Sequence, residues 1–150
     1  TLDGKEYQID IQKAKELGMK NTNYANATGL HNEGNYTSAY DMALLLDAAM
    51  KNELCREILS TKTYTTISTE QHPEGLLFES TLFSHMSGEE PETATIVGGK
   101  TGYISMSKYC IASFGVSEQS GDEYIVVTLG NSSRWPAMNG QITLYKEYAK

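Results

Sequence analysis

Residues 96 to 114 read IVGGKTGYISMSKYCIASF, and two short patterns in this stretch carry groups suited to acyl transfer. Lys100-Thr101-Gly102 sets an ammonium beside a hydroxyl and then a residue with no side chain. That order suits an anionic, strand-like ligand drawn along a bare sheet edge. Ser105-Met106-Ser107-Lys108 sets a serine three residues ahead of a lysine. Serine becomes a nucleophile only with a base in hydrogen-bond reach, and a spacing of three provides this on a helix, where such residues share a face. The flanking runs TATIVGG and KYCIASFGV are rich in β-branched and aromatic residues, so strands are predicted on both sides. Extended chain would point Ser105 and Lys108 to opposite faces. The second pattern is therefore read as a turn and a coincidence. The first is the candidate site, predicted to close a strand over residues 94–99 at a sheet rim, with Gly98, Gly99 and Gly102 leaving the backbone bare for a substrate.

These groups need a scaffold, and the hydrophobic pattern supplies one. Ile11, Ala14 and Leu17 share a face of a helix predicted over residues 7–17, with Gly18 at its left-handed cap. Residues 19–36, rich in Asn, Thr and Gly, are predicted as an ordered loop in which Asn26 and Gly29 form turns. Thr37 or Ser38 caps the next helix, Asp41 favours its first turn, and Met42, Leu45, Leu46, Ala49 and Met50 form its core stripe. A shorter helix carries Leu54, Cys55, Ile58 and Leu59. The runs TKTYTTIST, GLLFESTLF, TATIVGG, KYCIASFGV and EYIVVTLGN are predicted strands, the last two joined by a hairpin at Ser120-Gly121-Asp122. Pro136 fits the first turn of a closing helix with Met138, Ile142, Tyr145, Tyr148 and Ala149 inward. Helices, then an antiparallel meander, then a helix describe an α+β fold, an antiparallel sheet packed with helices, in one domain.

The 150 residues suit a single core. A net charge of -7 with no basic run argues against nucleic acid and anionic bilayers as partners. Cys55 and Cys110 lack metal or redox spacing and are predicted as small buried residues, and His31, His72 and His85 lack the spacing of zinc ligands. No run reaches the roughly 18 apolar residues of a membrane span. Thr1 as the first residue suggests a cut edge.

Two further blocks join the Lys100-Thr101-Gly102 motif in a family pattern. LGMKNTNYANATGL (residues 17–30), YTSAYDMALL (residues 36–45) and GGKTGY (residues 98–103), in this order, resemble the D-alanyl-D-alanine carboxypeptidases among the low-molecular-mass penicillin-binding proteins. The resemblance runs from about Tyr7 to the C-terminus and implies part of the β-lactamase/transpeptidase-like fold. In that family an S-x-x-K and an S-x-N precede the L-G-M block. No S-x-N occurs in this chain, and its one S-x-x-K follows Lys100. The resemblance thus implies the C-terminal portion of a catalytic domain, with its N-terminal strands and nucleophile helix missing and the isolated piece inactive. It also implies that those strands flank EYIVVTLGN, leaving it an apolar edge that self-associates or pairs with the missing portion.

The resemblance assigns roles as well. Lys100 sustains the proton network and field beside the nucleophile. The backbone N–H of Tyr103 is an oxyanion-hole donor. Thr101 bonds the terminal carboxylate of a D-Ala-D-Ala peptide, Gly102 lines the same cleft, and Arg134 clamps that carboxylate with its planar fork. The implied partners are a peptidoglycan stem peptide ending in D-Ala-D-Ala, β-lactam antibiotics and the missing N-terminal portion. The implied location is extracytoplasmic, with no metal and no organic cofactor. The family usually continues K-T-G-Y with Thr, where this chain has Ile104. A class A β-lactamase-like hydrolase shares K-T-G but lacks the L-G-M and N-x-x-G-L blocks, and a binding module would keep this half of the fold without the chemistry.

Overall fold

The computed structural model of the protein describes residues 11–86 and 88–150. Helix α1 is described over residues 11–16, and Gly18 follows at φ 74°, the left-handed cap that a missing Cβ permits. The predicted start of this helix, residues 7–10, lies outside the described residues. Residues 19–36 are held as a loop by their own amides: Asn26 Oδ1 accepts from Gly29 N at 2.9 Å and Asn35 Oδ1 from Ala25 N at 2.6 Å. A bridge between Asn23 and Tyr36 closes the loop.

Ser38 caps helix α2 (Ala39–Met50), its Oγ accepting from Asp41 N at 3.2 Å. Asp41 does more than favour the helix dipole. It is buried, and its Oδ2 accepts from Asn21 N and Thr22 Oγ1, each at 2.7 Å, so one carboxylate ties the loop to the helix. Helix α3 (Glu53–Ser60) starts on an Asn52 cap and buries none of its residues. The expectation of two buried cysteines is accordingly corrected: Cys55 is exposed and Cys110 only half covered. Helix α3 meets the core chiefly through Leu59 near its end, which leaves Cys55 facing water.

Strands β1 (Thr63–Thr65) and β2 (Leu77–Glu79) make a small exposed antiparallel pair. The strand predicted through residue 83 stops at Glu79, and helix α4 (Thr81–Met86) replaces its end. Leu82 and Met86 lie four apart, one above the other on a helix face, and both enter the core.

Strands β3 (Ala94–Ile104), β4 (Lys108–Ser117) and β5 (Glu123–Asn131) form the main antiparallel sheet in that order. Helix α5 (Arg134–Tyr148) follows, with Pro136 in its first turn. Helices α4 and α5 cover one face, where Leu82, Ile96, Ile111, Met138 and Tyr145 pack together. Helices α2 and α3 cover the other, through Leu46, Met50, Phe114 and Leu59. The α+β layers are as predicted, except that Tyr148 is exposed and Gln141 takes an inward position. Its amide is fully bonded: Ser113 Oγ donates to Oε1 at 2.5 Å, and Nε2 donates to Thr128 Oγ1 at 3.0 Å and Ile111 O at 3.3 Å. Tyr145 OH lies 3.0 Å from the same Ser113 hydroxyl. Burial pushes the Tyr145 phenol well above the usual tyrosine range, the Ser113 bond acting the other way. The outer edge of β5 pairs with no strand among the described residues.

The glycine pair ahead of Lys100 has a role the sequence reading did not foresee. A Cβ on Gly98 would stand 2.7 Å from Leu59 O, and one on Gly99 would stand 2.4 Å from Ala112 O and 2.8 Å from Ser113 Cα. These two glycines are buried and let the protein's own layers close on β3. At Gly102 an added Cβ meets nothing within 4 Å. Gly99→Ala is expected to lower unfolding stability by about 3 kcal/mol through backbone overpacking, and Gly102→Ala by less than about 0.5 kcal/mol. Urea denaturation of the two variants checks this contrast, and equal losses would refute it.

Candidate active site

Side chains alternate along a strand, so the faces taken by Lys100 and Thr101 are set by the residues before them. Ile96 packs in the α4/α5 core. Unbroken alternation from Ile96 would send Lys100 to that same side. The register instead shifts between Ile96 and Gly98, with Val97 as the extra residue, and Val97 packs toward α2 and α3. Beyond the bulge Gly98 pairs with Phe114, Gly99 with Ser113, Lys100 with Ala112 and Thr101 with Ile111. Directly paired residues share a face. Phe114 and Ala112 belong to the α2/α3 side and Ile111 to the α4/α5 side. Lys100 therefore faces the α2/α3 side and Thr101 the α4/α5 side.

The predicted motif lies inside β3, which runs on to Ile104, and does not end the strand at residue 99. It is nonetheless on a rim, because β3 is an outer strand of the sheet. Lys100 is exposed, and its Nζ donates to the carbonyl of Thr101. The Thr101 hydroxyl stands 2.5 Å from that of Thr81, the first residue of α4. Gly102 and Tyr103 are exposed, and the Tyr103 ring packs on Tyr109 with centroids 4.4 Å apart.

Arg134 comes to the same end of the sheet. Tyr103 pairs with Tyr109 and Tyr109 with Asn131, a row across all three strands that Asn131 Nδ2 reinforces by donating to Tyr109 O at 3.1 Å. Helix α5 opens three residues later with Arg134, whose guanidinium carbon lies 5.8 Å from the Trp135 ring centroid. Helix α4 links the two ends of this arrangement. Thr81 meets Thr101, and one turn on, His85 feels the charge of Arg134. Partial burial first, and the Arg134 cation second, hold the His85 imidazole below its usual range.

Ser105, Met106 and Ser107 form the turn between β3 and β4, and Lys108 follows at φ 59°. This is the turn the sequence predicted, and no helix presents Ser105 and Lys108 to one another. Among the described residues no group of three His, Cys, Asp or Glu is placed to hold a metal ion, and no helix is long and apolar enough to cross a membrane. The sequence reading missed Thr81 and His85, which it placed in a strand and among scattered histidines. The Leu82–Met86 spacing could not have separated helix from strand, since residues four apart share a face in both.

The chain is similar to known proteins over most of its length. A family model described as D-alanyl-D-alanine carboxypeptidase matches residues 9–133. D-alanyl-D-alanine carboxypeptidase DacF of Bacillus subtilis (strain 168) is 33% identical over 140 residues, covering 92% of this chain and 33% of the relative. D-alanyl-D-alanine carboxypeptidase of Streptomyces sp. (strain K15) is 25% identical over 135 residues, covering 90% of this chain and 45% of the relative. A crystal structure of the Streptomyces K15 DD-transpeptidase superposes with a TM-score of 0.72 at 26% identity, over 91% of this chain and 52% of that one. The fold is shared as well with the D-alanyl-D-alanine carboxypeptidase DacD of Francisella tularensis, at a TM-score of 0.71 and 23% identity over 92% of this chain and 43% of that one. The chain thus spans from a third to about half the length of these relatives.

The His85–Arg134 proximity has a titration consequence. The unfolded chain takes up the His85 proton before the folded one does, so stability declines as the pH falls below about 6.5 toward the folded-state value. In an NMR titration, Arg134→Gln is expected to raise the His85 pKa while leaving it below 6.5, because burial is the larger cause. An unchanged His85 titration would show that the two groups do not interact.

Proposed function

The chain belongs to the D-alanyl-D-alanine carboxypeptidase family, and from that premise we propose that the whole protein is a serine D-alanyl-D-alanine carboxypeptidase acting on peptidoglycan stem peptides outside the cytoplasm. The 150 residues are one partial domain, the substrate-binding half. The observation that carries this reading is the split that the bulge at Val97 imposes on β3. The Lys100 ammonium goes to one face, while the Thr101 hydroxyl goes to the side covered by α4 and by α5, the helix that Arg134 begins.

The chemistry follows from that split. The C-terminal D-Ala-D-Ala lies along the open edge of β3, where Gly102 presents backbone with no side chain in the way. Its carboxylate takes the Thr101 hydroxyl and the Arg134 fork, both of them donors to an anion. A serine outside these residues attacks the carbonyl of the penultimate D-Ala. The Tyr103 N–H is one of two donors to the oxyanion that forms. The peptide C–N bond breaks, the last D-Ala leaves as an amine that gains a proton, and water then hydrolyses the acyl-enzyme. Lys100 supplies fixed positive charge and a proton-holding group beside the attacking oxygen. A β-lactam, which carries its own carboxylate and strained amide, enters the same cleft and acylates the same serine.

Labelled penicillin tests the assignment. The 150-residue chain alone is expected to capture none, and the whole protein is expected to form a stable adduct. In the whole protein, Lys100→Ala is expected to slow acylation by about a hundredfold. Arg134→Ala should lower kcat/KM on a D-Ala-D-Ala peptide by about tenfold, and Ser105→Ala should change neither. Capture by the 150 residues that is lost in Ser105→Ala would overturn the reading.

A further inference from the structure

Thr101 has one proton to give and two lone pairs that accept. Among the described residues its hydroxyl partner is Thr81 Oγ1, at 2.5 Å. Either oxygen can donate in the free pair, but a bound carboxylate removes the choice. An anion accepts only, so Thr101 must spend its proton on the substrate and must then accept from Thr81. An accepting hydroxyl is also polarised into a stronger donor.

The placement of Thr81 is not accidental to the core. Leu82, the next residue, is completely buried against Ile96, Ile111 and Met138, and Ser84 N donates to Ser80 O at 3.0 Å to start the helix. The exposed Thr81 side chain is thereby held over Thr101 by a buried anchor. The same short helix packs on β3 and against α5, which Arg134 begins, so α4 touches the elements that carry both groups assigned to the carboxylate.

Resting on the carboxypeptidase reading, we propose that Thr81 is a positioning residue for recognition of the substrate carboxylate: its hydroxyl donates to Thr101 and directs the Thr101 proton at the anionic terminus. It touches Thr101 and not the reacting carbonyl. Its loss should therefore act through the terminal carboxylate and spare whatever turnover does not depend on it.

The test uses the whole protein with two peptides, one ending in D-Ala-D-Ala with a free carboxylate and the other its C-terminal amide. Thr81→Val keeps the shape and removes the hydroxyl; Thr81→Ser keeps the hydroxyl. Thr81→Val is expected to lower kcat/KM on the free acid by about tenfold, with most of the change in KM. Its rate on the amide should stay within about twofold of the unsubstituted protein, and Thr81→Ser should restore the free-acid value to within about threefold. Equal losses on both peptides, no loss on either, or failure of Thr81→Ser to restore would each overturn the proposal. Should Thr81→Val fold poorly by circular dichroism, Thr81→Ala is held to the same comparison. A protein that lacks carboxypeptidase activity before any substitution defeats the functional reading itself, which this comparison of variants keeps separate.

Discussion

The extra residue at Val97 governs the geometry of everything downstream on β3. A strand offers its side chains to alternate faces, and a single inserted position exchanges those faces for all that follows. Before the bulge Ile96 faces α4 and α5; after it Lys100 faces α2 and α3, and Thr101 turns to the side where α4 and α5 lie. Removing the bulge would put the ammonium against the α4/α5 core and turn the hydroxyl away from Thr81.

A bulge needs room, and the glycines beside it provide that room. The end of α3 presses on Gly98 through Leu59 O, and Gly99 lies under Ala112 O, Ser113 Cα and Leu82 Cδ2. Both layers thereby close on the sheet where the register changes. On the far side the Ser113–Gln141–Tyr145 cluster holds α5 to β4 with a satisfied buried network. Such a network tolerates little sliding, since a shift of one residue would strand several polar groups without partners. Arg134 inherits its place from that docking, because it begins the helix that the network holds down.

Much of this was legible in the residues, and the failures have physical causes. The α2 cap at Ser38, the turn at Ser105-Met106-Ser107 and the meander of β3, β4 and β5 follow from local rules of capping, turn chemistry and alternation. The three ordered blocks indicated the family before any geometry was known. The bulge was not legible, because nothing in TATIVGG distinguishes a continuous strand from one carrying an extra residue; only the pairing with β4 reveals it. Helix α4 was misread because Leu77, Phe78, Leu82 and Phe83 have strand-like propensity, while the burial of Leu82 and Met86 is a tertiary effect that outweighs it. That one misreading also hid Thr81 and His85.

Adjacent residues on a strand start out on opposite faces, and β3 sends the Lys100 and Thr101 side chains to different sides of the sheet. In the function proposed above, proton chemistry falls to the face that Lys100 takes, and recognition of an anionic terminus to the side shared by Thr101, Thr81 and Arg134. This division explains why α4 matters although it is only six residues long. With Leu82 and Met86 buried and Thr81 exposed over Thr101, α4 is a strut between the strand that carries the hydroxyl and the helix that carries the arginine. The spacing of those two donors is then set by packing, where a substitution on either face of the sheet is felt, and not by flexible side chains searching for their ligand.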